Sequence, residues 1–268
     1  MGGAFRILGL LCLVCLRASA QNSIDAPHVK VSLISENETL QRGKPAWMGV
    51  RFQLEKGWHV YWTNPGDSGE PPKVDWKLPP GFEAGELGFP FPHRLPLQSL
   101  MNFGYEDEVL YLAKIKVPAS TTPGTAELRA DVRWMICKDI CIPGKGSLRV
   151  ALPAADQTPK VGSMAAIFQA SRERLPKQAG LQVSATYQND SFIVAGRMPA
   201  KQVEFFPFDD LQIDNAAPQT TSATKTGFRL TIKKSEQSTK VPKRIRGVIV
   251  VDGRSAYQID VPVSTRAQ

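Results

Sequence analysis

The sequence predicts an all-β chain: a β-sandwich, a linker helix, and a second, smaller β-sandwich. Three observations carry that prediction. Apolar residues alternate with polar ones over many short stretches. Proline, glycine, asparagine and aspartate break those stretches at short intervals. One interruption, near residue 155, changes the period from two to that of a helix.

The first strand pattern is HVKVSLIS (28–35), where Val29, Val31 and Leu33 alternate with His28, Lys30 and Ser32. In MGVRFQL (48–54), Met48, Val50, Phe52 and Leu54 share a face. WHVYW (58–62) puts Trp58, Val60 and Trp62 inward and His59 and Tyr61 outward. VLYLAKIKV (109–117) continues the pattern, and ELRADVRWMI (127–136) shows it most clearly, with Leu128, Ala130, Val132, Trp134 and Ile136 in phase. Turn signals stand at Asn64-Pro65-Gly66-Asp67, Pro79-Pro80-Gly81, Pro123-Gly124 and Pro143-Gly144. Many short strands with regular breaks fit a sandwich. Trp58, Trp62 and Trp76 are expected to pack in its core.

Thr158-Pro159 then reads as an N-cap with proline at the first helical position. Val161, Met164, Ile167 and Phe168 fall at helical spacing, and the helix is expected to stop near Leu175, before Pro176. Strand patterns return in LQVSATY (181–187), SFIVAGRM (191–198), GFRLTIKK (227–234) and a hairpin over 247–261 that turns at Asp252-Gly253. The expected organisation is an export signal over 1–20, a first sandwich over 21–154, a linker helix over 155–177 and a second sandwich over 178–268. The second sandwich has no cysteine or histidine and reads as an interaction or spacer domain.

The leader carries Arg6, an apolar run from Ile7 to Leu16, and the small residues Ala18-Ser19-Ala20. This is the pattern of a secretory signal peptide cut after Ala20. The run is too short to span a bilayer, which takes about 20 residues. Cleavage removes Arg6 and Arg17 and takes the net charge from +8 to +6. The remaining cations are scattered and not interleaved with aromatics, so a solvated basic surface is expected rather than a nucleic-acid partner. A soluble exported protein is expected.

Cleavage also removes Cys12 and Cys15, leaving Cys137 and Cys141 in WMICKDICIPGKG (134–146). Export places this pair where disulfides persist. Three readings stay open. As a staple, a loop of five residues stabilises by only roughly 2 kcal/mol. As a redox centre, the spacing is suggestive. Residues four apart in a strand lie about 13 Å from each other, so a bridge needs a tight turn. Short, exposed bridges are the more easily reduced ones. As a metal clip, the pair lacks partners: His28, His59 and His93 follow no ligand spacing, and zinc sites usually need four ligands. A Cu(I) site using both thiolates, with Met135 or Met101, is the remaining metal option. The redox reading ranks first, the staple second and metal third.

GWHVYWTNPGDSGEPPKVDW (57–76), LMNFGYEDEVL (100–110) and WMICKDICIPG (134–144), in this order and spacing, resemble the N-terminal periplasmic domain of the DsbD family of thiol:disulfide interchange proteins. The similarity is closest to its ScsB-like branch, suppressor of copper sensitivity. FFPFDDLQIDNAAPQ (205–219) and AYQIDVPV (256–263) resemble the second N-terminal domain of that branch. The resemblance implies an immunoglobulin-like sandwich whose redox-active pair is Cys137 and Cys141, with no organic cofactor. It implies electron transfer from a thioredoxin-like or DsbD-type membrane donor to disulfide-containing periplasmic clients. It also implies an aromatic cap loop over the pair, matched by Asn102, Phe103, Gly104 and Tyr105, with Phe103 the expected lid. The competing reading makes Phe103 and Tyr105 core residues. Members of the family continue into a multi-helix membrane domain and often a thioredoxin-like domain. Neither pattern occurs before Gln268, so the reductant is expected from a separate polypeptide. Two further functions are weighed beside thiol–disulfide exchange: copper handling through the two thiolates, and a structural sandwich with an inert bridge.

Overall fold

The computed structural model describes residues 21–178 and 180–265. The expected export signal, with Cys12 and Cys15, lies outside the described residues. The first unit runs β1 (Ser23–Ala26), β2 (Val29–Ser35), β3 (Leu40–Gln41), β4 (Ala46–Leu54), β5 (His59–Gly66), β6 (Lys73–Lys77), β7 (Glu83–Ala84), β8 (His93–Leu97), β9 (Leu100–Glu106), β10 (Glu108–Lys116), β11 (Gly124–Cys137) and β12 (Cys141–Ala155). After α1 (Ala165–Glu173) come β13 (Val183–Gln188), β14 (Ser191–Gly196), β15 (Val203–Pro207), β16 (Thr220–Ala223), β17 (Phe228–Lys233), β18 (Arg244–Val251) and β19 (Ser255–Thr265). Among the described residues no helix is long and apolar enough to cross a membrane.

The first unit is a sandwich of the expected immunoglobulin-like kind. One sheet has the order β1-β2-β4-β10-β7. The other has the order β3-β12-β11-β5-β9-β8, with β6 also paired to β11. Alternation explains the core between them. Val31, Leu33, Met48, Val50, Phe52 and Tyr111 face Val60, Leu128, Val132, Trp134 and Ile136, and all are buried. Phe52 makes edge contacts with Tyr111 in its own sheet and with Trp134 in the facing one.

The second unit is built on one continuous path, β15-β18-β19-β13-β14-β17-β16. The long strand β19 pairs with β18 along most of its length and with β13 at its end, and so joins two layers. Phe192, Val194, Leu230 and Ile232 pack there with Phe205, Ile245, Ile249 and Ile259. The expected turn at Asp252-Gly253 is present, with φ of 51° and 64°.

The helix differs from expectation at its start. It begins at Ala165, and Met164 caps it without a side-chain hydrogen bond. Residues 160–162 are instead tied to the β2–β3 connection, where Glu38 N–H donates to Lys160 O and Gly162 N–H to Glu36 O. Those two bonds hold the backbone extended where the sequence suggested the first helical turn. Val161 and Met164 are therefore exposed, at 67% and 36%. The helix does not hang free between units. Phe168 is fully buried against Leu110 and Leu112, on the outer face of β10.

The two units share an aromatic contact. Trp62 stacks on Phe208 at 5.5 Å and meets Phe206 edge-on at 6.1 Å. Phe103 meets Phe206 at 5.2 Å. Hydrogen bonds cross the same contact. Asn64 Nδ2 donates to Pro207 O at 3.0 Å, and Arg94 donates to Asn215 O and Ala217 O at 2.7 and 3.0 Å. Phe206 belongs to the core cluster of the first unit rather than the second. Removing a buried phenylalanine side chain costs about 3–5 kcal/mol. Phe206→Ala is therefore expected to lower the urea midpoint of the whole chain in one transition. Two transitions, with only the later unit affected, would show that the cores fold independently.

Candidate functional site

The β11–β12 hairpin carries the cysteines. Its ladder runs without a bulge from Gly124↔Ala154 to Cys137↔Cys141. Lys138, Asp139 and Ile140 turn the chain, closed by Lys138 N–H donating to Ile140 O at 3.0 Å. Cys137 and Cys141 are joined by a disulfide, with their Cα atoms 4.1 Å apart. The two sulfurs come from unlike surroundings: Cys137 is fully buried, whereas Cys141 is exposed on the outer strand. Ile140 at the tip is 65% exposed.

The expected break at Pro143-Gly144 does not occur; both residues lie inside β12. There β12 pairs only with β11, because β3 joins it much later, at Ala154 and Ala155. Proline is tolerated on such an edge because its missing N–H would face outward.

Register extends the cysteine row across the sheet. Cys137 lies opposite His59, and His59 opposite Glu106. Directly opposed residues share a face, and successive ones alternate. The face of the disulfide thus also holds Met135, Tyr61, Asn102 and Gly104. Phe103 and Tyr105 fall on the other face. Phe103 is fully buried against Phe206, and the Tyr105 hydroxyl donates to Pro90 O. Neither covers the cysteines, which corrects the expected lid. The alternation of Met101, Phe103 and Tyr105 with Asn102, Gly104 and Glu106 was the available strand signal. Of the two methionines considered as soft ligands, Met135 shares the disulfide's face and Met101 packs against the core. Among the described residues, no three His, Cys, Asp or Glu side chains converge as a metal site.

His59 and Tyr61 were expected to face outward, and they do, yet both are buried. The segment after β5 covers them. Gly69, at φ +89°, lies flat on the Tyr61 ring, where a Cβ would fall 2.0 Å from the ring. On the other side, Gly104 leaves no space for a side chain: its Cβ would stand 2.2 Å from Val60 O. Asn102, fully buried, ties the parts together. Its Oδ1 accepts from the Ser68 N–H at 3.1 Å and the Ser68 hydroxyl at 2.9 Å. The backbone donor fixes the orientation of the amide, so Nδ2 faces His59 Nε2, at 3.5 Å. An N–H directed at Nε2 favours the neutral ring, whose lone pair can accept it. The Tyr61 hydroxyl lies 3.2 Å from the same nitrogen.

Burial acts on both titratable rings. It lowers the His59 pKa below its ordinary 6.5. It pushes Tyr61 up to about 12, against a smaller opposing effect of its hydrogen bond with Ser68. The covering segment is anchored at its start. Asp67 accepts the Met101 N–H at 2.7 Å and the Asn215 side-chain amide at 2.8 Å, the latter from the second unit.

The model of the family described as thiol:disulfide interchange protein DsbD, N-terminal, matches residues 30–153. The N-terminal periplasmic domain of ScsB from Proteus mirabilis has a similar structure. Its TM-score is 0.66 at 17% identity, over 91% of this chain and 98% of that one. At that identity the likeness is one of fold. Domains 5–6 of the S-layer protein SbsC match at a TM-score of 0.24 and 10% identity, over 88% of this chain and 97% of that one, too loosely to bear on the site. Among curated proteins none matches the chain in sequence.

A depressed histidine pKa means that the unfolded chain binds a proton the folded chain refuses. Stability from His59 is then present above pH 6.5 and is lost as the pH falls below it. His93, also lowered by burial and by the nearby Arg174, acts in the same direction. The His59 ring resonances are expected to titrate below pH 6.5 in the folded protein. Titration at or above 6.5 would contradict the buried, neutral ring.

Proposed function

Residues 30–153 are a DsbD N-terminal-type domain, and from that premise we propose that the chain is a periplasmic thiol–disulfide exchange protein working through Cys137 and Cys141. The observation that carries the reading is the asymmetry of the bridge, one sulfur exposed at the end of a hairpin and the other fully buried. An in-line attack needs access to one sulfur and a leaving group on the far side. Cys141 offers the access and Cys137 leaves.

A thiolate of a thioredoxin-like donor attacks the Cys141 sulfur. A donor–Cys141 disulfide forms, the Cys137–Cys141 bond breaks, and Cys137 departs as a thiolate. His59 lies opposite Cys137 in the β5–β11 register, and in this reading its neutral imidazole is the neighbouring group that passes the thiolate a proton. The donor's second thiolate then attacks the donor sulfur of the mixed disulfide. The donor leaves oxidised and Cys141 leaves as a thiolate, so two electrons have passed from the donor dithiol to the bridge; the donor thiols' protons go to solvent, and solvent returns one to each cysteine that is protonated. With an oxidised client the sequence runs in reverse, starting from the Cys141 thiolate. No organic cofactor enters any step.

The ladder around the pair supports reversible use. Cys137 and Cys141 are already opposed by the β11–β12 register, with Ile136 and Ile142 paired behind them. The dithiol form needs no rearrangement of the hairpin to re-form the bond.

Single-cysteine variants separate the two sulfurs. Cys137→Ser leaves the exposed thiol and is expected to trap mixed disulfides with thioredoxin-like proteins. It should also react with an aromatic disulfide reagent at least about tenfold faster than Cys141→Ser, whose remaining thiol is buried. Equal or reversed rates would refute the order of attack. The reduction potential of the native pair is expected above about −300 mV, among exchanging disulfides. A lower value, with no mixed disulfide from either variant, would return the bridge to a structural role.

A further inference from the structure

The face of the hairpin beyond the disulfide has a second feature that exchange chemistry does not use. Four residues along β11 from Cys137 stands Arg133, and four along β12 from Cys141 stands Lys145. They are directly opposed, and Lys73 of β6 lies opposite Arg133 on the other side. Three exposed cations thus form one row across three adjacent strands. Like charges in opposed positions destabilise a sheet. None of the three forms an ion pair with a described residue. The next row away from the disulfide is acidic, but its carboxylates are engaged, Asp75 with Lys77 and Asp131 with Ser147.

Between the cation row and the disulfide lies an apolar step. The β11 ladder is taken up by β5 at Ile136 and by β6 at Arg133, and neither strand pairs Trp134 or Met135. A cavity of about 380 Å³ opens in that gap, lined by Trp134, Met135, Pro143, Gly144 and Pro71, with Lys73, Arg133 and Lys145 around it. Glu70 is the one carboxylate in its lining. Along β12, Cys141, Pro143 and Lys145 are exposed in sequence on one line. The order from the hairpin tip is therefore reactive sulfur, apolar pocket, cation row, over about 13 Å.

We propose that this track docks an extended, acidic segment of the redox partner protein. A carboxylate meets Lys73, Arg133 and Lys145. An apolar side chain two residues closer to the reactive cysteine enters the cavity, and the partner sulfur then lies at Cys141. The inference rests on the exchange reading and adds to it the chemistry of the partner. Charge complementarity and spacing both select the occupant: an extended segment places its fourth residue about 13 Å from its cysteine, on the cation row.

The test uses the reduced full chain and five-residue peptides carried as mixed disulfides with 2-mercaptoethanol. Cys-Ser-Leu-Ser-Glu is compared with its Gln and Lys counterparts and with the reversed sequences. At low salt the Glu peptide, in one chain direction, is expected to react at least about tenfold faster than the Lys peptide. The gap should close in 0.5 M salt. In an R133E/K145E chain the order should invert. Equal rates for the Glu and Lys peptides at low salt, or a Glu preference unchanged in R133E/K145E, overturns the docking track. Absence of reaction with uncharged hydroxyethyl disulfide overturns the exchange reading itself, and the track with it.

Discussion

The register of the β11–β12 ladder is the constraint on which the site depends, because strand geometry lets no side chain move without its neighbours. The pairing that sets Cys137 against Cys141 also sets Met135 against Pro143 and Arg133 against Lys145. Through β5 and β9 it aligns His59 and Glu106. A slip of one residue would send the whole set to the other face. What prevents the slip is burial behind it. Leu128, Ala130, Val132, Trp134 and Ile136 are all in the core, and exposing each larger one would cost about 1.5–3 kcal/mol. Reactive chemistry on one face is thus held in place by packing on the other.

The period-two pattern made the central strands legible in the sequence. β2, β4, β10 and β11 lie where alternation put them, because each has one face in a core and the pattern records that directly. The hairpin of β18 and β19 was legible through Asp252-Gly253. Less legible were elements whose placement depends on contacts remote in sequence. β9 matches a cap-loop motif by resemblance, and that match outweighs the alternation of its residues; its pairing with β5 and β8 makes it a strand. The helix start was masked by Thr158-Pro159, whose local preference yields to the backbone bonds at Lys160 and Gly162. Pro143-Gly144 looked like a turn because edge position cannot be read from composition.

The cysteine pair was legible as a site, but its surroundings were not. His59 and Tyr61 read as a solvent-facing pair, and that is the side they occupy. Nothing in WHVYW tells that Ser68 and Gly69 fold back over them, since the covering segment is held by Asn102 and by Asn215 of the second unit. The cation row is a similar case. Lys73, Arg133 and Lys145 are scattered in sequence, and only the register brings them to one line. The second unit, expected as a spacer or interaction domain, contributes Phe206 and Phe208 to the packing around Trp62.

The burial of Cys137 has a consequence for how such a protein would run. If only Cys141 is reachable, electrons enter and leave through the same atom. Donor and client then compete for one doorway and can never be bound together at it. The chain would act as a shuttle that is loaded, released and unloaded in turn, not as a wire between two docked proteins. Its steady state would follow ping-pong kinetics, with parallel lines in double-reciprocal plots as the second substrate is varied. Its throughput would be limited by how fast spent partners depart, which gives weak, salt-sensitive docking an advantage over tight docking.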